Sequence, residues 1–186
     1  MNMQSHLKEK QKSKKNHINF EIVEYKPEYK VKYKELNYEW LVRYFKVESS
    51  DKKMLSNPEK EILDQNGHIF FALFNDEVIG TCTLLRHDDS NYELSKMCVT
   101  ETYQRKGAGE MLINEAISKA YHLGIEKIFL CTNRRLSAAL NLYRKKGFKI
   151  IRCPLEVNSN YKRESICMCF NLNHNSDKEK QQVLIL

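Results

Sequence analysis

Glycine and proline are scarce in this 186-residue chain, at six and three residues, which excludes a collagen-like rod. No apolar run approaches the roughly 20 residues that a membrane helix needs. The longest, Ile69 to Phe74, is strand-sized. The Lys-rich first residues lead into no apolar stretch, so no secretory signal is expected; the expectation is a cytoplasmic protein with no membrane partner. The chain has no G-x-G-x-x-G fingerprint and no Gly-Lys-Ser/Thr, so neither the Rossmann nor the P-loop mode of phosphate binding is expected. Its six cysteines (Cys82, Cys98, Cys131, Cys153, Cys167 and Cys169) form no C-x-x-C, and no His pair follows at zinc-finger spacing. They are expected to be reduced, buried and metal-free, behaving as small apolar residues.

What is present describes one domain with extensions. Hydrophobic residues make up 41% and charged residues 30%, enough for a core and too apolar for wholesale disorder. The net charge is +7, but Lys8, Lys10, Lys12, Lys14 and Lys15 against Glu9 concentrate it at the start. Residues 1–16 read as a disordered basic arm, residues 17–171 as the folded domain, and residues 172–186 as a loose tail with an apolar end. The body is only mildly basic, so nucleic acid is not the expected partner, and a short basic arm is ordinarily a solvated terminus.

Along the domain, Ile18, Phe20, Ile22 and Val23 read as a first strand. Pro27 opens a helix whose apolar face is expected to be Val31, Leu36, Trp40, Leu41 and Tyr44. Asp51 is expected to cap a second short helix. Three strands follow, 68–74, 78–86 and 92–99, joined by polar turns. The period then changes from two to about 3.6. Leu112, Ile113, Ala116, Ile117, Ala120 and Leu123 stripe a helix between Gly107 and Gly124. The run 125–131 suits a buried parallel strand. Leu136, Leu140 and Tyr143 mark another helix, and 148–151 and 164–170 read as last strands. A strand–helix–strand crossover inside an antiparallel meander makes a mixed α/β sheet with helices on its faces.

One segment carries chemistry. Gln104-Arg105-Lys106-Gly107-Ala108-Gly109 follows a strand and opens a helix. Converging N–H groups and the helix dipole make such a turn an anion site, and Gly107 and Gly109 let a phosphate approach the backbone. Alone, the segment is equally a tight strand-to-helix turn. Together with Tyr92 to Val99 before it, and Thr132-Asn133 and Asn141 to Phe148 after it, it resembles the two coenzyme A motifs of the GCN5-related N-acetyltransferase (GNAT) family. The resemblance spans roughly residues 18–171. It implies an α/β fold: a mixed, mostly antiparallel sheet of about seven strands, flanked by about four helices, whose central strand pair splays apart.

The resemblance further implies acetyl-CoA as acetyl donor and no metal. Main chain at Met97, Cys98 and Val99 would pair with the pantetheine arm. The pyrophosphate would lie on N–H groups from Gln104, Arg105, Lys106, Gly107, Ala108, Gly109 and Glu110, with Asn133 touching the arm. Tyr143 would protonate the leaving thiolate, as a phenol can; simple core packing is the alternative. Glu93 is the candidate general base, with a surface ion pair as its alternative. Glu39, Glu48 and Asp51 could line an acceptor pocket, and Tyr161, Arg163 and Glu164 could contribute to it. The expected reaction is direct attack by a small-molecule or peptide amine in a ternary complex. A two-step route through Cys98 lacks an adjacent His. A non-catalytic acyl-CoA sensor of the same fold is the alternative function, and a homodimer stays open.

Overall fold

Alternation of side chains along the strands builds two cores, one on each face of the sheet. The computed structural model describes residues 19–153 and 166–172. The predicted arm, the tail after Leu172, and the acceptor candidates Tyr161, Arg163 and Glu164 lie outside the described residues; Leu172 itself, assigned to the loose tail, is buried in the core. The seven strands are β1 (Glu21–Glu24), β2 (His68–Phe74), β3 (Glu77–Arg86), β4 (Asn91–Val99), β5 (Lys127–Thr132), β6 (Lys149–Ile151) and β7 (Ile166–Asn171). They lie in the order β1-β2-β3-β4-β5-β7-β6. Only β4 and β5 run parallel, and the helix α4 (Ala108–His122) crosses between them.

On β2, Phe70 and Ala72 point to one core with α4 and α5 (Ser137–Lys145), joined by Ile79, Leu84, Leu94, Ile128, Leu130 and Met168. Ile69, Phe71 and Leu73 point to the other, beneath α1 (Lys30–Tyr44), α2 (Ser49–Ser56) and the single turn α3 (Pro58–Glu61). The stripe predicted for α4 is buried at Leu112, Ile113, Ala116, Ile117 and Ala120, and Gly124 closes it with φ 73°.

Two local expectations are corrected. The buried face of α1 is Tyr33, Asn37 and Leu41, whereas Val31 is 64% and Tyr44 40% exposed. The reason is polar: β3 presents buried Thr81 and Thr83 to the helix. The Tyr33 hydroxyl lies 3.0 Å from Thr83 Oγ1, and Asn37 Nδ2 donates to Thr81 Oγ1 at 3.2 Å. Asp51 is not the cap of α2. Glu48 holds that place and Asp51 sits at the third helical position of a capping box, which turns its carboxylate inward.

Candidate active site

The central strand is deformed where the site lies. Thr83 faces Ser95 across the β3–β4 ladder, but Thr81 faces Cys98, so β4 carries extra residues opposite Cys82. Lys96 in this bulge has φ 46°. A bulge bends and twists its strand, and here β4 turns away from β5. The parallel ladder holds only Asn91 with Lys127, Tyr92 with Ile128, and Glu93 with Phe129. Beyond it the strands separate around a cavity of about 630 Å³. Met97, Cys98 and Val99 form one wall and Cys131, Thr132 and Asn133 the other.

The bulge is held by hydrogen bonds and charge. Thr81 Oγ1 donates to the Lys96 carbonyl at 2.7 Å. The Lys96 ammonium reaches Asp51 Oδ1 at 3.0 Å, and the two side chains are only 7% and 1% exposed. This pair ties α2 to β4, so Asp51 does line the cavity, but its charge is met by Lys96. Glu39 is exposed, and Glu48 is used in the cap of α2.

At one end of the cavity stands the first turn of α4. Positive φ at Arg105 (59°) and Gly107 (105°) folds the chain back into the helix. Gln104 Nε2 donates to the Val99 carbonyl at 2.9 Å, fastening the turn to the end of β4. The first helical bond runs from Met111 N to Gly107 O, so the preceding N–H groups have no partner within the helix. Gln104, Arg105, Gly107, Gly109 and Glu110 line the cavity. Ala108 is buried in the core, which leaves its N–H as its only means of reaching a ligand. Lys106 lies over the Tyr103 ring at 5.5 Å. The Glu110 carboxylate binds Lys145 at 2.7 Å and Lys146 at 2.8 Å, and both hold it below the usual carboxylate range. With that charge neutralised, the end is positive overall. Asn133 lines the cavity while its Oδ1 accepts from Arg135 N at 3.0 Å.

Tyr143 points into the middle from α5, 8% exposed, its hydroxyl 3.8 Å from Met97 Sδ. Burial, with the Cys82 thiol nearby, pushes its phenol up, so it is a neutral donor at ordinary pH. Glu93 also lines the cavity, 7% exposed, with His87 Nε2 at 3.1 Å from Oε2. The His87 ring packs on Phe129 at 4.8 Å. The lining also includes Trp40, Tyr44 and Phe45, with Trp40 5.5 Å from each of the other two rings. Neither His87 nor this aromatic group is among the residues predicted for the site. His87 could have been found from the hairpin register: Leu85 faces Glu93, so the residue two further on shares Glu93's side.

The cysteines depart from expectation. Cys82 and Cys98 are buried and free as expected. Burial pushes the Cys98 thiol up to about 12, which leaves almost no thiolate at neutral pH. Cys153 and Cys167, however, form a disulfide. Cys131 Sγ lies 2.7 Å from Cys167 Sγ, and burial together with the Glu93 charge pushes the Cys131 thiol up to about 12. Register explains the meeting: Cys131 pairs directly with Cys167, and Ile151 on the next strand pairs with Cys167 as well. Among the described residues no helix is long and apolar enough to cross a membrane.

The model of the acetyltransferase (GNAT) family matches residues 34–148. An uncharacterized N-acetyltransferase of Bacillus subtilis, YvbK, is 35% identical over 103 residues, which is 54% of this chain and 66% of that protein. An uncharacterized N-acetyltransferase of Mycobacterium tuberculosis, Rv2669, is 30% identical over 89 residues, 48% of this chain and 57% of that one. The match therefore spans slightly under two thirds of these relatives at most. Among solved structures, a GNAT-family acetyltransferase of Staphylococcus aureus superposes with a TM-score of 0.74 at 26% identity, covering 83% of this chain and all of that one. A GNAT acetyltransferase of Elizabethkingia anophelis with acetyl-CoA bound shares the fold, with a TM-score of 0.57 at 23% identity over 83% and 99% of the chains.

Proposed function

The chain belongs to the acetyltransferase (GNAT) family, and from that premise we propose that it transfers the acetyl group of acetyl-CoA to a primary amine by direct attack. The observation that carries this reading is the opening of β4 from β5 after Glu93 and Phe129, into a cavity that holds Tyr143, Glu93 and the α4 N-terminus together. In the proposed complex the cofactor's pyrophosphate rests on the N–H groups of Gln104 to Glu110, where the helix dipole and the flanking cations favour an anion. Its pantetheine arm runs along Met97, Cys98 and Val99, opposite Asn133.

The amine enters beside Trp40, Tyr44 and Phe45 and meets Glu93. Attack on the thioester carbonyl needs a free lone pair, and Glu93, steadied by His87, takes the proton directly or through water. Peptide N–H groups at the bulge polarise the carbonyl oxygen. As the C–S bond breaks, Tyr143 donates its proton to the sulfur. Holding both substrates in one cavity supplies the entropic share of the acceleration. Burial of Cys98 and the scarcity of its thiolate favour this single displacement over a covalent acetyl-enzyme. The presence of two candidate proton carriers in one cavity favours an enzyme over a sensor.

The test is a thermal melt with acetyl-CoA, CoA and ATP, followed by an amine screen for CoA release. A ligand at one hundred times its Kd stabilises the folded state by about 2.7 kcal/mol. We expect acetyl-CoA and CoA, but not ATP, to raise the midpoint, and CoA release to depend on an added amine. No shift at millimolar acetyl-CoA would overturn the reading. A shift with no release for any amine would favour the sensor.

A further inference from the structure

Three adjacent strands each place one sulfur at the same point: Cys131 on β5, Cys167 on β7, and Cys153 just beyond β6. Their Sγ atoms all lie within 4.8 Å of one another. A disulfide joins only two of them. The third, Cys131, lies beside the Cys167 sulfur. The disulfide thus uses two of three sulfurs that stand close enough to share one ion.

We propose that, with its disulfide reduced, the chain binds one thiophilic divalent cation, of the zinc class, through Cys131, Cys153 and Cys167. Zinc–thiolate bonds of about 2.3 Å set tetrahedral sulfurs about 3.8 Å apart; all three sulfurs already lie within 4.8 Å of one another, and reduction frees the bonded pair to separate to that spacing. The three ligands come from neighbouring strands, so little chain has to be ordered on binding. Cys167 is 1% exposed, while Cys131 and Cys153 are partly exposed, which gives a buried anchor and a path for the ion. Cys131 lines the large cavity, so the fourth position is left to a small ligand from that side, as in zinc sites that keep one open position. Three thiols release three protons to the solvent as the ion binds. The site borders the cavity proposed for acetyl transfer through Cys131, and none of its three ligands is a residue assigned to that transfer.

The full chain is reduced with a water-soluble phosphine, which takes oxygen from water as the disulfide becomes two thiols. It is then freed of reductant under argon and titrated with cobalt(II) as the probe. The expected result is a thiolate-to-cobalt charge-transfer band that saturates at one ion per chain and is bleached by zinc. Cys131→Ser and Cys153→Ser lose the band, while Cys169→Ser, one strand position pair away, keeps it. Far-UV circular dichroism and acetyl-CoA-independent melting midpoints check that the variants are folded. A folded, reduced chain without the band overturns the proposal, as does full intensity in both Cys131→Ser and Cys153→Ser. A reduced chain that unfolds and is not restored by zinc overturns it as well.

Discussion

Replacing Tyr143 with Phe removes one oxygen from the centre of the cavity and little else. The ring is 8% exposed and packs near Phe148, with centroids 5.9 Å apart, and Phe fills the same space. The only polar contact described for the hydroxyl is the Met97 thioether at 3.8 Å, a weak acceptor. The stability change should therefore stay under about 1 kcal/mol, about 2–4 °C in the melting midpoint for a domain of this size. Turnover should suffer far more. A positioned proton donor is worth about 10²–10⁴-fold, or about 3–5 kcal/mol on the barrier. The assay is amine-dependent CoA release at saturating acetyl-CoA, read by chromatography, beside a calorimetric Kd for CoA. We expect kcat to fall by at least about a hundredfold while Kd holds within about twofold. Since burial holds the phenol above its ordinary value, the wild-type rate should show no loss from this group up to about pH 9.5. An unchanged kcat would remove Tyr143 from the chemistry. Equal losses in kcat, CoA affinity and melting midpoint would make it a packing residue.

Asp51→Ala removes the carboxylate that faces the buried Lys96 ammonium and should cost about 3–5 kcal/mol, whereas the double change Asp51→Leu with Lys96→Met should recover most of it; thermal melts of the three proteins decide, and a single variant as stable as wild type would contradict it. Gly107→Ala forces a side chain to φ 105°, which should cost about 1–2 kcal/mol in urea unfolding and weaken CoA binding by calorimetry; unchanged affinity would separate the turn from the ligand. Burial, and then the Lys119 charge, lower the His68 pKa in the folded protein. The unfolded chain then binds the proton more readily, so stability falls as pH drops through about 6.5. Urea midpoints at pH 5.5 and 7.5 should show that loss in wild type and less of it in His68→Gln, and equal slopes would refute it.

The fold was legible because its signals are local. The His68–Phe74 strand matches its predicted bounds, and the α4 stripe buries nearly every residue assigned to it. The face of α1 was not legible, because a count of apolar residues cannot anticipate that Tyr33 and Asn37 are drawn inward by threonines 50 and 44 positions away. In the site, the Gln104 to Glu110 turn could be read, since its glycines and its place between strand and helix are written in one stretch of chain. The His87–Glu93 contact was within reach of the hairpin register, but the Asp51–Lys96 pair and the sulfur cluster were not. The pair joins a helix to a bulge that no local pattern encodes, and the cluster depends on the register of three strands distant in sequence.

The three rungs joining β4 to β5 also mean that this sheet has edges indoors. Past Glu93 and Phe129, each strand offers unsatisfied main-chain donors and acceptors to a cleft instead of to solvent. Exposed edges recruit other chains, but these are walled by α1 on one side and the start of α5 on the other. Full-width strands with side chains are shut out, and a slender, unbranched arm is admitted. Whatever fills the cleft acts as an intercalated strand that stitches two half-sheets together. Amides from Leu94 to Val99 that face the cleft should exchange with solvent faster than those of β2, and slow down when the seam is closed.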